Sequence, residues 1–238
     1  MNAAIVVPCY NEAARWDGDY WTALFSIKGA SWILVDDGST DSTHDVLMSH
    51  AQSGVEVLRL DRNVGKGEAV RVALESLREG SHTWAGFVDA DGAFTANEIQ
   101  RFAELTESAE PHVKAVWSSR VRMRGRKIQR SASRHAVGRT IATALSLRYP
   151  LLPYDSQAGL KLFRVTDEFA GAVANPFRTR WLFDVELFAR LEQAYGSSSD
   201  WLWEEPLDSW QHIDGSKISG RELMRIPVEM SRLLTRKD

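Results

Sequence analysis

Four short polar clusters, each directly behind an apolar run, hold side chains suited to an anion and a metal ion. They are Pro8-Cys-Tyr-Asn-Glu12, Asp36-Asp37-Gly-Ser-Thr40, Asn63-Val-Gly-Lys-Gly67 and Asp89-Ala-Asp91-Gly92. Any one of them reads equally as turn chemistry, because Asp, Asn, Gly and Ser end strands and cap helices in most proteins. Four of them behind four strand-like runs are harder to explain as turns. Asp89 and Asp91 stand one residue apart behind a buried-looking strand. Two such carboxylates suit a hard cation, Mg²⁺ or Mn²⁺, whose shell is completed by substrate phosphate oxygens rather than by a closed protein cage. The tripeptide alone is weak. Sixteen Asp in 238 residues make about one chance match, and Asp17-Gly-Asp19 is another, set in a helical pattern.

The elements that must position these clusters are legible in the periodicity. Ala3–Val7, Trp32–Val35, Val55–Leu58 and Trp84–Val88 are short, apolar and rich in β-branched and aromatic residues, as strands are. Between them, Trp16, Tyr20, Leu24 and Ile27 fall at helical spacing. So do Val70, Leu74 and Leu77, with Gly80 as the expected C′ residue. Thr95-Ala-Asn-Glu98 reads as a capping box opening a helix that carries Ile99, Phe102 and Leu105. Strands alternating with helices predict an α/β fold with a doubly wound, mostly parallel sheet, in which ligands bind beyond the carboxyl ends of the strands. The second half is less regular. It predicts a helix through Val137, Ile141 and Leu145, a strand at Gly159–Phe163, a helix near Asp184–Ala194 and a Trp-rich strand at Trp201–Glu204. A basic amphipathic stretch, Arg221–Arg236, is interrupted by Pro227. There is no repeat and no low-complexity linker, so residues 1–238 are expected to form a single domain.

A composition of 44% apolar and 26% charged residues is ordinary for a globular chain. One cysteine, Cys9, excludes an intrachain disulfide and suits a reducing compartment. The sequence shows neither a signal peptide nor an apolar run long enough to span a bilayer, so a cytoplasmic and at most peripheral protein is expected. The net charge of −3 conceals an asymmetry. From Pro111 to Tyr154 there is no Asp or Glu but ten Lys and Arg, which leaves −13 for the rest of the chain. About six acids would fall in such a window by chance. Something anionic is expected there. A nucleic-acid groove on a catalytically silent module would account for Arg120–Arg139, but the carboxylate pair at Asp89 and Asp91 would repel that partner, so no nucleic acid is expected.

Val-Pro-Cys-Tyr-Asn-Glu, Val-Asp-Asp-Gly-Ser-Thr-Asp, Asn-Val-Gly-Lys-Gly-Glu-Ala-Val and Asp-Ala-Asp-Gly-Ala resemble, in order and spacing, the signature elements of family-2 inverting glycosyltransferases of GT-A fold. Asp155–Phe163 and Arg180–Leu187 resemble the branch that makes dolichyl- or polyprenyl-phosphate glucose. The likeness covers roughly residues 3 to 217. It implies transfer of a hexose from a nucleoside diphosphate sugar, UDP-glucose, to a polyprenyl phosphate. A hydroxyl acceptor on a small molecule or glycan is the alternative. Carried over by position, Pro8, Tyr10, Asn11 and Glu12 would line the nucleotide pocket and Asp37 would contact uracil or ribose. Lys66 would lie near the nucleotide, Asp89 and Ala90 near the ribose and donor sugar, and Asp91, with Asp89, on the metal. Arg120, Arg130 and Arg134 would meet the acceptor phosphate. Asp155, Gln157, Trp181, Asp184 and Glu186 would face sugar and acceptor, with Asp184 the leading catalytic carboxylate beside Asp91 and Asp155, so that about residues 1–110 would bind the nucleotide sugar and 111–238 the acceptor. As plain structure, Trp181 and Phe183 read as core aromatics and Asp184 as a helix N-cap. His212 and Lys217 lie in a stretch suited to close over a diphosphate. Many proteins of this kind carry a transmembrane anchor, and this sequence lacks a matching run. An anionic membrane surface would then be met by the basic window, with apolar Ile141–Leu152 beside it.

Overall fold

All four predicted strands form, and three run beyond their apolar cores because neighbouring strands continue the ladder. A computed structural model describes residues 2–77, 80–129, 132–213 and 225–235, with the backbone alone for 132–137. Strands β1 (Ala3–Cys9), β2 (Ala30–Asp36), β3 (Val55–Arg59) and β4 (Trp84–Val88) pair in parallel in the order β3-β2-β1-β4. Pro8 lies inside β1, in register with Val35. Helices α1 (Gly18–Phe25), α2 (Thr43–Met48) and α3 (Lys66–Ser76) make the crossovers, and α4 (Ala96–Ser108) leads out of β4.

Beyond β4 one antiparallel strand enters, so the seven-stranded sheet is mostly parallel, as expected. The chain forms β5 (Ala115–Ser119), the short β6 (Lys127–Gln129), α5 (Ala132–Ser146) and β7 (Leu160–Arg164). Strand β7 inserts between β4 and β5, antiparallel to both. After α6 (Asp167–Val173), α7 (Phe183–Tyr195) and the single turn α8 (Ser198–Trp201), β8 (Leu202–Pro206) adds parallel to β5. β9 (Ser209–Gln211) pairs with β6 in a separate ribbon, and α9 (Ile226–Leu234) is the last described helix. Because β7 runs backwards, its N-terminal end reaches the same rim as the C-terminal ends of its neighbours.

Successive strand residues face opposite sides of the sheet, and each side has its own core. Phe87, Trp117, Phe163, Phe183 and Phe188 pack on one side, and Ile5, Val7, Val88, Trp21, Trp32 and Phe102 on the other. Several helix ends differ from expectation. Asp17 is the N-cap of α1, accepting from the Tyr20 amide at 3.0 Å, so Trp16 and Ile27 lie outside that helix. α3 closes at Leu77, short of Gly80. Thr95 caps α4 as expected, but Glu98 accepts from the Asp208 and Ser209 amides instead of closing the box. Pro227 falls in the first turn of α9, where its missing N–H costs nothing, so it starts the helix rather than interrupting it.

Candidate active site

The loops after β1, β2 and β3 are tied to one another by their polar residues. Asn11, at a φ of 51°, donates its amide to Ser39 Oγ at 2.9 Å and accepts from the Thr40 amide at 2.8 Å. The amides of Glu12 and Ala13 both donate to Thr43 Oγ1. Glu12 itself is buried and chelated by the Arg15 guanidinium, with contacts of 2.6 to 3.0 Å. The Asp37 carboxylate accepts from the amides of Val64 at 2.7 Å and Gly65 at 2.8 Å. Burial raises the Asp37 pKa, and those two amides work against the rise. Asp37 therefore holds the turn that launches α3. Gly65 in that turn has a φ of 98°, and a Cβ there would meet the Arg180 side chain at 2.7 Å, so only glycine fits.

Lys66, the first residue of α3, pairs with Asp89 at 2.5 Å and lies over the rings of Phe87 and Phe183. Burial works against its charge, but Asp89, Asp184 and Asp91 together raise its pKa. Burial, then the neighbouring Asp89, push the Asp91 pKa up to about 6, although its Oδ1 accepts from the Ala93 amide at 3.0 Å. The Tyr20 hydroxyl donates to the Phe94 carbonyl at 2.6 Å, and burial followed by the field of Asp91 raises its pKa. Negative charge is thus in excess around Asp91, which is the electrostatic condition for binding a cation. Among the described residues no group of three or more His, Cys, Asp and Glu is arranged to hold a metal. Two carboxylates with an incomplete shell fit a metal shared with a diphosphate. Gly159, at the end of β7, is shaped by the same site: its carbonyl accepts from the Asp89 amide at 3.0 Å, and a Cβ would stand 2.2 Å from the Asp89 carboxylate.

The second half of the chain supplies the facing wall. Asp155 accepts from Arg120 Nε at 2.6 Å, from its Nη2 at 2.7 Å and from its amide at 3.0 Å, and Arg120 also stacks over Trp210. Burial opposes the Arg120 charge, and Asp155, with Asp89 and Asp184 behind it, outweighs that and raises its pKa. Arg120, expected on the acceptor phosphate, is oriented by Asp155, which leaves Nη1 without a partner among the described residues. Asp184 is the second residue of α7, whose N-cap is Leu182, so it is not a cap. It is buried, and its Oδ1 accepts from Lys161 Nζ at 2.5 Å. Glu229 of α9 accepts from the successive amides of Arg180, Trp181 and Leu182 at 2.9 to 3.1 Å. Arg180 donates to Asn63 Oδ1.

Asp89, Asp91, Asp155, Asp184, Lys66 and Arg120 thus come together in one electrostatic cluster. Pro8, Tyr10 and Asn11 are half-buried at the end of β1 and just after it, Asp37 is buried and tied to the turn before α3, and Ala90 is buried between the two aspartates. Glu186, expected to face the sugar, instead accepts from the Arg178 and Thr179 amides and from Arg190. Gln157 is half-buried in the turn before β7. Phe183 is core, and Trp181 packs against it only in part. Arg130 and Lys217 lie outside the described residues, and for Arg134 the backbone alone, in α5, is described. Four participants were not foreseen: Arg15 and Tyr20 beside Asp91, Glu229 behind α7, and Lys161 in β7. Lys161 had a signal, a lone lysine in the strand-like run Leu160-Lys-Leu-Phe163.

Residues 4–170 match the model for glycosyl transferase family 2. The chain is 29% identical over 263 residues to the dolichyl-phosphate beta-glucosyltransferase of Drosophila melanogaster, covering 96% of this chain and 75% of that protein. The human protein of the same description is 29% identical over 246 residues, covering 90% and 69%. Among solved structures, glucosyl-3-phosphoglycerate synthase from Mycobacterium tuberculosis, in complex with Mn²⁺ and uridine-diphosphate-glucose, superposes with a TM-score of 0.71 at 17% identity, covering 98% of this chain and 77% of that one.

Proposed function

The chain belongs to glycosyl transferase family 2, and from that membership we propose that it transfers glucose from UDP-glucose to a polyprenyl phosphate, inverting the anomeric carbon. The observation that carries this reading is the convergence of Asp89, Asp91, Lys66, Arg120–Asp155 and Asp184 on one rim. The names of the similar glucosyltransferases support the acceptor, and the fold shared with a synthase that binds UDP-glucose and Mn²⁺ supports the donor.

Asp91 and Asp89 would hold a divalent cation, either Mg²⁺ or Mn²⁺, which when bound neutralises charge on the departing diphosphate. The protein's own groups do the rest. Lys66 places a fixed positive charge where the leaving group accumulates negative charge. The tied loops of Asn11, Ser39 and Asp37 keep the nucleotide side rigid. A phosphate oxygen of the acceptor attacks the anomeric carbon as its bond to UDP breaks, and UDP departs with the electron pair. A phosphate monoester has a second pKa of about 6 and is largely dianionic at neutral pH, so it needs no base. Arg120, fixed by Asp155, with Arg130 and Arg134 would orient it. A hydroxyl acceptor would need a base, and Asp184, whose Oδ2 has no hydrogen-bond partner among the described residues, is the group that would serve.

The acceptor's lipid tail calls for a membrane surface. No helix among the described residues is long and apolar enough to cross one. After α5, Leu147, Leu151 and Tyr154 are exposed by 85%, 47% and 42%, with Arg139 lying over the Tyr154 ring. This apolar and basic turn would rest in the interface on the cytoplasmic face. The acid-free window is not one patch, however. Lys114 sits at the far end of β5, donating to the Pro111 carbonyl. The deciding experiment offers UDP-glucose with a short polyprenyl phosphate, the matching polyprenol or no acceptor. A β-linked glucosyl phosphate from the first alone is the expected result; transfer to the polyprenol instead would move the reading to the hydroxyl acceptor.

A further inference from the structure

Lys161 occupies the middle of β7 with no exposed surface, flanked by the buried Leu160, Leu162 and Phe163. An apolar residue would pack well in such a strand, and a buried ammonium is retained only where it is paired. Its Nζ donates to the Ala158 carbonyl and to Asp184 Oδ1, both at 2.5 Å. The faces of Trp117 and Phe87 lie 4.4 and 5.1 Å from it and exclude water. In such surroundings the attraction between the two charges is little screened. The same short stretch that carries Lys161 sets Gly159 against Asp89. The stretch Gly159–Lys161 therefore touches two of the site's carboxylate residues, Asp89 through backbone and Asp184 through an ammonium.

We propose that Lys161 is the positioning residue for Asp184: it holds Oδ1 in one orientation, so that Oδ2 is the oxygen offered to the transferred sugar or its acceptor. This rests on the glycosyl-transfer reading above. The charges facing the pair are Lys66 from α3, Asp89 after β4 and Arg120 after β5. Without Lys161, Oδ1 would lose its partner and the carboxylate would stand unpaired among core rings.

The test compares Lys161→Met, Lys161→Arg, Asp184→Asn and the Lys161→Met/Asp184→Asn double variant, with UDP-glucose, Mn²⁺ and a short polyprenyl phosphate. Lys161→Met is expected to lower kcat about 10- to 100-fold, as removing an orienting partner does, while donor KM stays within about twofold. It should lack the parent's fall in rate above about pH 8, where Lys161, its pKa lowered to about 8 by burial, gives up its proton, and Lys161→Arg should restore part of the rate. The double variant should be no slower than Asp184→Asn, and should melt higher than Lys161→Met because no buried charge is left unpaired. A Lys161→Met kcat within about threefold of the parent, or losses that multiply in the double variant, would overturn the proposal. If Lys161→Met does not fold, the double variant against Asp184→Asn decides: equal rates support positioning, a further drop refutes it. If the parent enzyme glycosylates no acceptor, the glycosyl-transfer reading has failed separately. The ¹³Cε shift of Lys161, titrated in the parent and in Asp184→Asn, then reads the pairing alone: a midpoint near 8 in the parent that falls in Asp184→Asn supports it, an unchanged one refutes it.

Discussion

Asp91 and Asp17 belong to the same tripeptide pattern, and their surroundings separate them. Asp17 caps α1, whereas Asp91 sits in the negative cluster with Asp89. Asp91→Ala is therefore expected to abolish the part of UDP-glucose affinity that EDTA removes, measured by calorimetry. Asp17→Ala should leave that affinity intact and cost about 1 kcal/mol of stability as a lost N-cap. The raised pKa of Asp91, about 6, also sets a pH dependence. The metal needs the carboxylate, and a proton competes for it below that value. Mn²⁺ affinity should accordingly fall about tenfold per pH unit below 6 and level off above it. Titrations between pH 5 and 7.5 would show this, and Asp91→Ala should lack the step.

At the scale of elements, α7 carries Asp184 and depends on α9. The first turn of a helix leaves amides without intrahelical partners, and a carboxylate there also meets the positive end of the helix dipole. Glu229 satisfies the amides of residues 180 to 182, and Arg232 donates to the Arg178 carbonyl in the same segment. Glu229→Ala would leave three amides without their partner, that of Leu182 buried and those of Arg180 and Trp181 part-buried. A loss of about 1–3 kcal/mol in urea denaturation is expected, with reduced transfer because Arg180 and Asp184 lose their support. Unchanged stability would mean that water or another group takes over the amides. Strand β7 plays the corresponding part on the other wall, bringing Gly159 to Asp89 and Lys161 to Asp184.

For the whole molecule, the question is how a protein with no spanning helix among its described residues would meet the proposed lipid-linked acceptor. Exposed Lys and Arg near an anionic surface contribute about 1 kcal/mol each, and salt screens them over about 8 Å at physiological ionic strength. Co-sedimentation with anionic vesicles should fall steeply as salt rises. Replacing the exposed Arg122, Arg124 and Lys127 together should weaken it, and Leu147→Ser with Leu151→Ser should weaken it further at high salt. Arg126 pairs with Asp208, so its removal alone should matter less. Binding indifferent to salt and to both sets of changes would remove the docking surface but not the enzyme.

The amino-acid sequence by itself determined the first half of the sheet, the polar clusters at its rim and the family-like order of those clusters. Those features are local: apolar period, turn residues and caps act over a few neighbours, so Trp84–Val88 and the Thr95 cap were legible residue by residue. The tertiary structure alone decided the direction of β7, the existence of β5 and the β6–β9 ribbon, and the partners of the buried charges. Lys161 reaches Asp184 across 23 residues, Arg120 reaches Asp155 across 35, and Glu229 reaches back 47 to 49 residues to its amides. A lysine in an apolar strand, or an arginine in a basic window, has many acids within reach of an unfolded chain. Which one it takes depends on which strand is inserted beside β4, and that is settled by packing two cores against opposite faces of one sheet.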